Sequence, residues 1–257
     1  MPKVAIIAAL EREVSGLIKG WHRVERQYEG RSFVFFERDE VVVVCGGIGL
    51  EAARRAAEAV FALYHPALLL SVGFAGALDA GLHVGDLFMP TVLIDARDGS
   101  HVELHGAADI SPGQARALVT FMDVAGVQQK ASLAQAYGAQ AVDMEAAAVA
   151  AAAHAHGIQF AATKVISDEA DFEMLEMSRF VDPQGRFRTA SFAAFVTLRP
   201  RLWRRVAILA TNSRKAARAL SEHLKRYTLE TPSAFPATAQ PAQPAAATTG
   251  MRAGGRE

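Results

Sequence analysis

Val41-Val42-Val43-Val44-Cys45-Gly46-Gly47-Ile48-Gly49 runs directly into Leu50–Tyr64. The valine run is too short for a typical helix and suits a strand buried on both faces. The glycines end it. Leu50–Tyr64 then sets apolar residues at helical spacing, with Arg54, Arg55 and Glu58 on the opposite side. The succession of buried strand, turn and helix recurs along the chain. Val4–Ala9 is followed by Glu11 and Glu13. Pro66 introduces the run Ala67–Val72, which ends at Gly73-Phe74-Ala75-Gly76. Phe160–Ile166 ends at Ser167-Asp168-Glu169-Ala170-Asp171. Strands alternating with helices predict an α/β domain with a mainly parallel sheet.

The remaining segments fill in around these. Ser32–Glu37 and Glu40–Cys45 read as a hairpin about Arg38-Asp39, and Asp86–Leu93 as a strand. Pro112–Val119 and Gln128–Tyr137 read as short helices. Val142–His156 reads as one helix stopped by Gly157, with His154 and His156 at its end. Arg201–Thr228 reads as one long amphipathic helix, weakest near Asn212-Ser213. Pro, Ala, Thr and Gly take over from Thr231, a composition with nothing to bury. The expected organisation is one folded unit over residues 1–229 and a disordered tail over 230–257.

Composition narrows the function classes. The 257 residues carry 27 Lys plus Arg against 27 Asp plus Glu, and 51% are hydrophobic. That is enough apolar material for a pocket-bearing core, and the balanced charge disfavours a general nucleic-acid binder. A single cysteine excludes a disulfide scaffold. Cys45 reads as a small core residue. No apolar stretch reads as a membrane span, and Met1-Pro2-Lys3 leads into Val4–Ala9 and then acidic residues rather than a secretion signal. The expected location is cytoplasmic.

Two motifs are weaker than they look. Gly47-Ile48-Gly49-Leu50-Glu51-Ala52 matches G-x-G-x-x-A, but it follows a later strand and lacks the acidic residue that a dinucleotide fold places about 20 positions on. It reads as a tight turn beside a pocket. His101-Val102-Glu103-Leu104-His105 would place three ligand-type side chains on one strand face. No further cluster supports a metal, so no metal site is expected.

Three carboxylates carry more weight. Glu13 follows the first strand, Glu145 sits in Val142-Asp143-Met144-Glu145-Ala146, and Asp168 ends a buried strand. In open α/β sheets, ligands gather at the carboxyl ends of strands, where these three can converge. Taken singly, each also reads as an acid at a helix start.

Several segments occur together and in order: Ala8-Ala9-Leu10-Glu11-Arg12-Glu13-Val14, Gly46-Gly47-Ile48-Gly49, Ser71-Val72-Gly73-Phe74-Ala75-Gly76-Ala77-Leu78, Val84-Gly85-Asp86, Val142–Ala146 and Ile166–Asp171. This set resembles the nucleoside phosphorylase superfamily over about residues 3–172. Within it, the chain is similar to 5′-methylthioadenosine/S-adenosylhomocysteine nucleosidases and to hopanoid-associated phosphorylases. The resemblance implies a three-layer fold, a mainly parallel mixed sheet flanked by helices. It implies an enzyme that releases the base from a purine nucleoside, most simply a 5′-modified adenosine, without a cofactor, as a homodimer or larger homo-oligomer.

Roles follow from the resemblance. Asp168 corresponds to the acid that protonates the purine at N7, oriented by Ser167. Glu145 corresponds to the acceptor of the ribose hydroxyls, with Met144 against the sugar. Glu13 corresponds to the water-activating glutamate. Gly73, Phe74 and Ala75 correspond to the loop beside base and ribose. An acid at the base and a carboxylate near the sugar suit the charge separation of N-glycosidic cleavage. Hydrolysis is expected first. Phosphorolysis, including of an adenosylated hopanoid, is the alternative, with Gly46–Gly49 and an arginine such as Arg97 as its oxyanion site. A nucleoside-binding module without catalysis is a further alternative. For the base, Phe74, Phe121 and Phe160 are the candidate aromatics. Met174–Pro200, with Arg179, Arg186 and Arg188, departs from the nucleosidase pattern and reads as a peripheral segment, a lid or an interface.

Overall fold

The computed structural model describes residues 3–104, 115–175 and 177–230. The tail from Thr231 and the Pro112–Gln114 part of the expected short helix lie outside the described residues, as does His105. The chain runs β1 (Val4–Ala8), α1 (Glu11–Val14), β2 (His22–Tyr28), β3 (Arg31–Arg38), β4 (Val41–Cys45), α2 (Leu50–Tyr64) and β5 (Leu68–Ala77). It continues through β6 (Leu87–Phe88), β7 (Val92–Asp95), β8 (His101–Glu103), β9 (Ala117–Thr120), α3 (Val127–Tyr137), β10 (Ala141–Asp143) and α4 (Ala146–Ala155). It closes with β11 (Gln159–Asp168), α5 (Thr189–Thr197) and α6 (Pro200–Glu230).

The strands form one mixed sheet in the order β2-β3-β4-β1-β5-β10-β9-β7-β8, with β11 paired to β5 and β6. The expected three-layer α/β architecture is present. Parallel pairs join β4, β1, β5 and β11, which hold the runs predicted to be buried. Antiparallel pairs join β2 to β3 to β4, β7 to β8, and β10 to β5. Helices α2 and α4 cover one face around Phe35, Leu69 and Ile166. Helix α6 covers the other through Ala216, Leu220 and Leu224.

β5 positions the site. It pairs with β1 as far as Ser71 and with β10 from Gly76 onward. Val72–Ala75 therefore lies beside a gap between the ends of two neighbours, and the carboxylates collect there. The expected stop at Gly73 does not occur. The strand continues to Ala77 because β11 pairs along its other edge, from Leu68 through Gly76.

Four other expectations are corrected. Asp86–Leu93 is two short strands, β6 and β7, separated around Pro90, which has no N–H to donate. Ala117–Val119 is strand β9, not helix, held between β7 and β10. The helix expected from Val142 begins only at Ala146. Asp143 takes the Ala146 amide at 2.9 Å and Thr120 the Ala147 amide at 3.0 Å, which fixes the start and frees Val142 for β10. Helix α6 passes through Asn212-Ser213 unbroken.

Candidate active site

Glu13 sits in α1, immediately after β1, and is 4% exposed. Its Oε2 accepts from the amides of Ala9 at 3.2 Å and Leu10 at 3.4 Å. Burial raises its pKa from 4.5 to about 7, against the opposing pull of Lys164. Gly73 makes room for it. With φ near +140°, Gly73 would place any Cβ 2.8 Å from Glu13 Oε2, so a side chain there would displace the carboxylate.

Glu145 precedes α4. Its Oε1 accepts from the Gly49 amide at 2.9 Å and its Oε2 from the Met144 amide at 3.3 Å. Burial pushes its pKa up, and Lys164 draws it back. Lys164 is a charge in the middle of β11 with no exposed surface. Its Nζ lies 2.7 Å from Asp143 Oδ2 and donates to Ser71 Oγ at 3.1 Å. Burial alone would lower the Lys164 pKa. The surrounding Asp143, Glu145 and Glu13 outweigh that and hold it raised, so the ammonium stays charged.

A second buried pair stands across the site. Asp168, at the end of β11, accepts from Ser167 Oγ at 2.6 Å and from Lys130 Nζ of α3 at 2.5 Å. Lys130 is 2% exposed and also donates to the Glu169 carbonyl at 2.6 Å. Gly76 permits the approach, since a Cβ there would lie 2.9 Å from Asp168 Oδ2.

These groups surround one cavity of about 790 Å³. Glu13, Glu145, Met144, Phe74, Ala75, Ser167 and Asp168 line it, and Gly73 lies just behind Glu13. All eight candidate residues are therefore brought together. Of the candidate aromatics, only Phe74 faces the cavity. Phe160 is buried in the core and Phe121 packs with Ile94 and Val119. Phe187 and Phe192 supply the missing aromatic surface. They belong to the segment expected to be peripheral, which folds over the cavity with Met174, Met177 and Val181.

The oxyanion site expected at Gly46–Gly49 and Arg97 is not assembled. The Gly46 and Gly47 amides donate to Ala8 and Ala9 carbonyls, at 2.9 and 3.0 Å. The Ile48 amide donates to Gly185 at 2.8 Å, and the Gly49 amide is taken by Glu145. Arg97 is held by Asp95 at 2.6 Å and does not line the cavity. Arg12 does line it, its guanidinium 5.8 Å from the Phe187 ring centre. His101 and Glu103 are exposed on β8, and no group of metal-ligating side chains occurs among the described residues.

Lys130 and Lys164 were not anticipated. Lys164 leaves a readable trace, a lone charge inside the apolar run Phe160–Ile166 that needs a buried partner. Lys130 leaves none, because Val127–Tyr137 is polar on most sides and gives no hint that this lysine points inward.

The chain matches the family model described as Phosphorylase superfamily over residues 3–121 and 124–197, and it belongs to that superfamily. It is 28% identical over 202 residues to a 5′-methylthioadenosine/S-adenosylhomocysteine nucleosidase of Actinobacillus succinogenes, covering 66% of this chain and 87% of that protein. A nucleosidase of the same description from Glaesserella parasuis is 26% identical over 202 residues, with the same coverage. Among solved structures, the fold is shared with a Colwellia psychrerythraea nucleosidase of that kind in complex with adenine. The TM-score is 0.65 at 19% identity, covering 93% of this chain and 98% of that one. It is shared also with futalosine hydrolase of Helicobacter pylori, at TM-score 0.61 and 18% identity, covering 90% and 98%.

Proposed function

We propose that this protein is a purine nucleosidase that hydrolyses the N-glycosidic bond of a 5′-modified adenosine and releases adenine. One observation carries the reading: Glu13 is a buried carboxylate, raised to about 7, at the cavity wall. A base tuned near the working pH is what water activation requires. The same carboxylate occupies the amides after β1, and the glycine-loop amides already have acceptors. An incoming phosphate would meet a negative charge where it needs donors.

The roles follow from position. The bond between the sugar carbon and purine N9 breaks, and its electron pair goes to the purine. The proton that reaches N7 passes through Asp168 from Lys130, bonded to Asp168 Oδ2, and the lysine regains a proton from water once the products leave. Ser167 holds the other carboxyl oxygen and sets the orientation. The oxocarbenium-like sugar is captured by water, whose proton passes to Glu13. Glu145 and Met144 hold the ribose. Lys164 keeps Glu145 and Glu13 from repelling one another, acting through them rather than on the substrate. Phe74, Phe187 and Phe192 supply apolar surface for the base and the 5′ group.

Phosphorolysis is the second reading, favoured by Arg12 on the cavity wall. The futalosine hydrolase likeness leaves room for a 5′ group other than an alkylthio chain, and the apolar helix wall suits one larger than methylthio. Incubating the protein with a panel of adenosine derivatives, with and without phosphate, decides between the readings. Adenine release in phosphate-free buffer with a free sugar product is expected. A strict phosphate requirement and a sugar 1-phosphate product would move the protein to the phosphorylases.

A further inference from the structure

The whole chain is electrically balanced, but the residues between Asp182 and Glu222 include nine basic side chains and no acidic one. All nine are exposed. This segment contains α5 and most of α6, and from Thr189 to Lys215 none of its residues is buried. Three of its large apolar side chains are open to water. Leu198 at the turn between the helices is 79% exposed, Trp203 is 55% exposed and Ile208 is 38% exposed. The tip reads Leu198-Arg199-Pro200-Arg201-Leu202-Trp203-Arg204-Arg205, apolar residues collared by arginines. The Trp203 indole N–H donates to the Val196 carbonyl at 3.0 Å, so the ring's polar end is satisfied within the hairpin. Arg199 stacks on Phe195 with its charge at the surface.

We propose that the α5–α6 tip is a docking surface for an anionic lipid bilayer. Basic side chains interleaved along the tip with exposed Leu and Trp match both layers of such a surface, phosphate headgroups and the first carbons of the acyl chains. Charge selects this occupant over a second copy of the chain, because two identical faces would bring like charges together. Protruding Leu198 and Ile208 select it over a nucleic acid, whose backbone rewards the arginines alone. The attachment is peripheral: among the described residues, no helix is long and apolar enough to cross a membrane. Docking would hold the cavity mouth beside the lipid, since Phe192, Val206 and Leu209 of the same two helices line it.

Co-sedimentation of the full chain tests this, using vesicles of phosphatidylcholine alone or with about one third phosphatidylglycerol. Binding is expected to the anionic vesicles only, and to be reversed by high salt. Each basic residue near such a surface strengthens partitioning about fivefold, so R201Q/R204Q/R205Q should weaken it about a hundredfold. The L198S/W203S variant should weaken it as well. Both variants should keep the wild-type melting temperature, since none of these side chains is buried. Equal binding to uncharged vesicles, or undiminished binding by the triple variant, overturns the proposal. So does a dimer that the triple variant dissociates without any vesicle binding by wild type, or duplex DNA that displaces the vesicles at equal salt.

Discussion

On the sheet side of the cavity, Glu13, Lys130, Asp143, Lys164 and Asp168 are each at most 4% exposed, and each has a partner at hydrogen-bond distance. On the helix side, no residue from Thr189 to Lys215 is buried, and the surface toward the cavity sets Phe192, Val206, Leu209 and Ala210 beside Thr189, Ser213 and Arg214. One wall fixes charges in a low-dielectric setting, where removing a partner strands the other. The opposite wall offers apolar area that a substrate covers. Under the proposed function, placement of the reacting atoms falls to the strand ends and tolerance toward the 5′ group to the helices.

The largest effects should come from the Asp168–Lys130 pair. Asp168→Asn removes the proposed proton donor and should lower turnover about 10²–10⁴-fold, measured as adenine release. Lys130→Met leaves Asp168 buried and uncompensated, and should destabilise by about 3–5 kcal/mol. Adding Asp168→Asn to Lys130→Met should recover stability, because the stranded charge is gone. If the double variant melts no higher than Lys130→Met alone, the pair is not an electrostatic unit.

Glu13→Gln should cut turnover to a similar or slightly smaller degree while leaving nucleoside binding largely intact. Its effect on stability has the opposite sign. Glu13 titrates near 4.5 unfolded and about 7 folded. Between those values the folded chain binds more protons, so stability contributed by this group falls as pH rises through that window. Glu13→Gln should thus melt higher than wild type at pH above 7 and lose that advantage near pH 4.5. A variant that melts lower at the higher pH would mean that the Glu13 charge is stabilised by contacts beyond Ala9 and Leu10.

Glu145→Gln keeps the shape but would weaken the charge-assisted bond proposed to the ribose. A tenfold to hundredfold fall in kcat/KM is expected. Wild type should also discriminate against the 2′-deoxy nucleoside, and equal turnover of both sugars would remove Glu145 from the ribose.

The two walls also differ in how far they could be read from the sequence. The buried strands were legible because Val4–Ala8 and Val41–Val44 are continuous apolar runs and Phe160–Ile166 is one broken only by Thr163 and Lys164. Glu13, Glu145 and Asp168 were legible as a set, through the resemblance of the segments that carry them, whereas each alone also read as an acid at a helix start. Exposed β2 was missed, since its charged alternation buries nothing. Val142 and Ala117 were misassigned as helical because long-range pairing overrode local preference. Lys130 depends on the placement of α3 over β11, which no local pattern encodes. The helix wall was illegible for a related reason. Its phenylalanines meet the cavity where Ile48 donates to Gly185 and Arg31 to Gln184, long-range contacts that hold the segment beside the glycine loop.

The smallest effect tests that helix wall. Phe192 and Leu209 are half-buried and line the cavity without touching any of the paired charges. Truncating either to Ala removes apolar area from the substrate's 5′ end and leaves the proton-transfer groups in place. At about 25 cal/mol per Å² of apolar surface, partial loss of one side chain amounts to about 1 kcal/mol, or a fivefold change in equilibrium. KM for a nucleoside with a long apolar 5′ group should therefore rise about fivefold for Phe192→Ala or Leu209→Ala, with kcat nearly constant, the signature of uniform binding. Adenosine itself, with only a hydroxyl at that position, should be unaffected. A fall in kcat on both substrates would mean that the helices help to position the reacting atoms, and the division of labour between the two walls would fail.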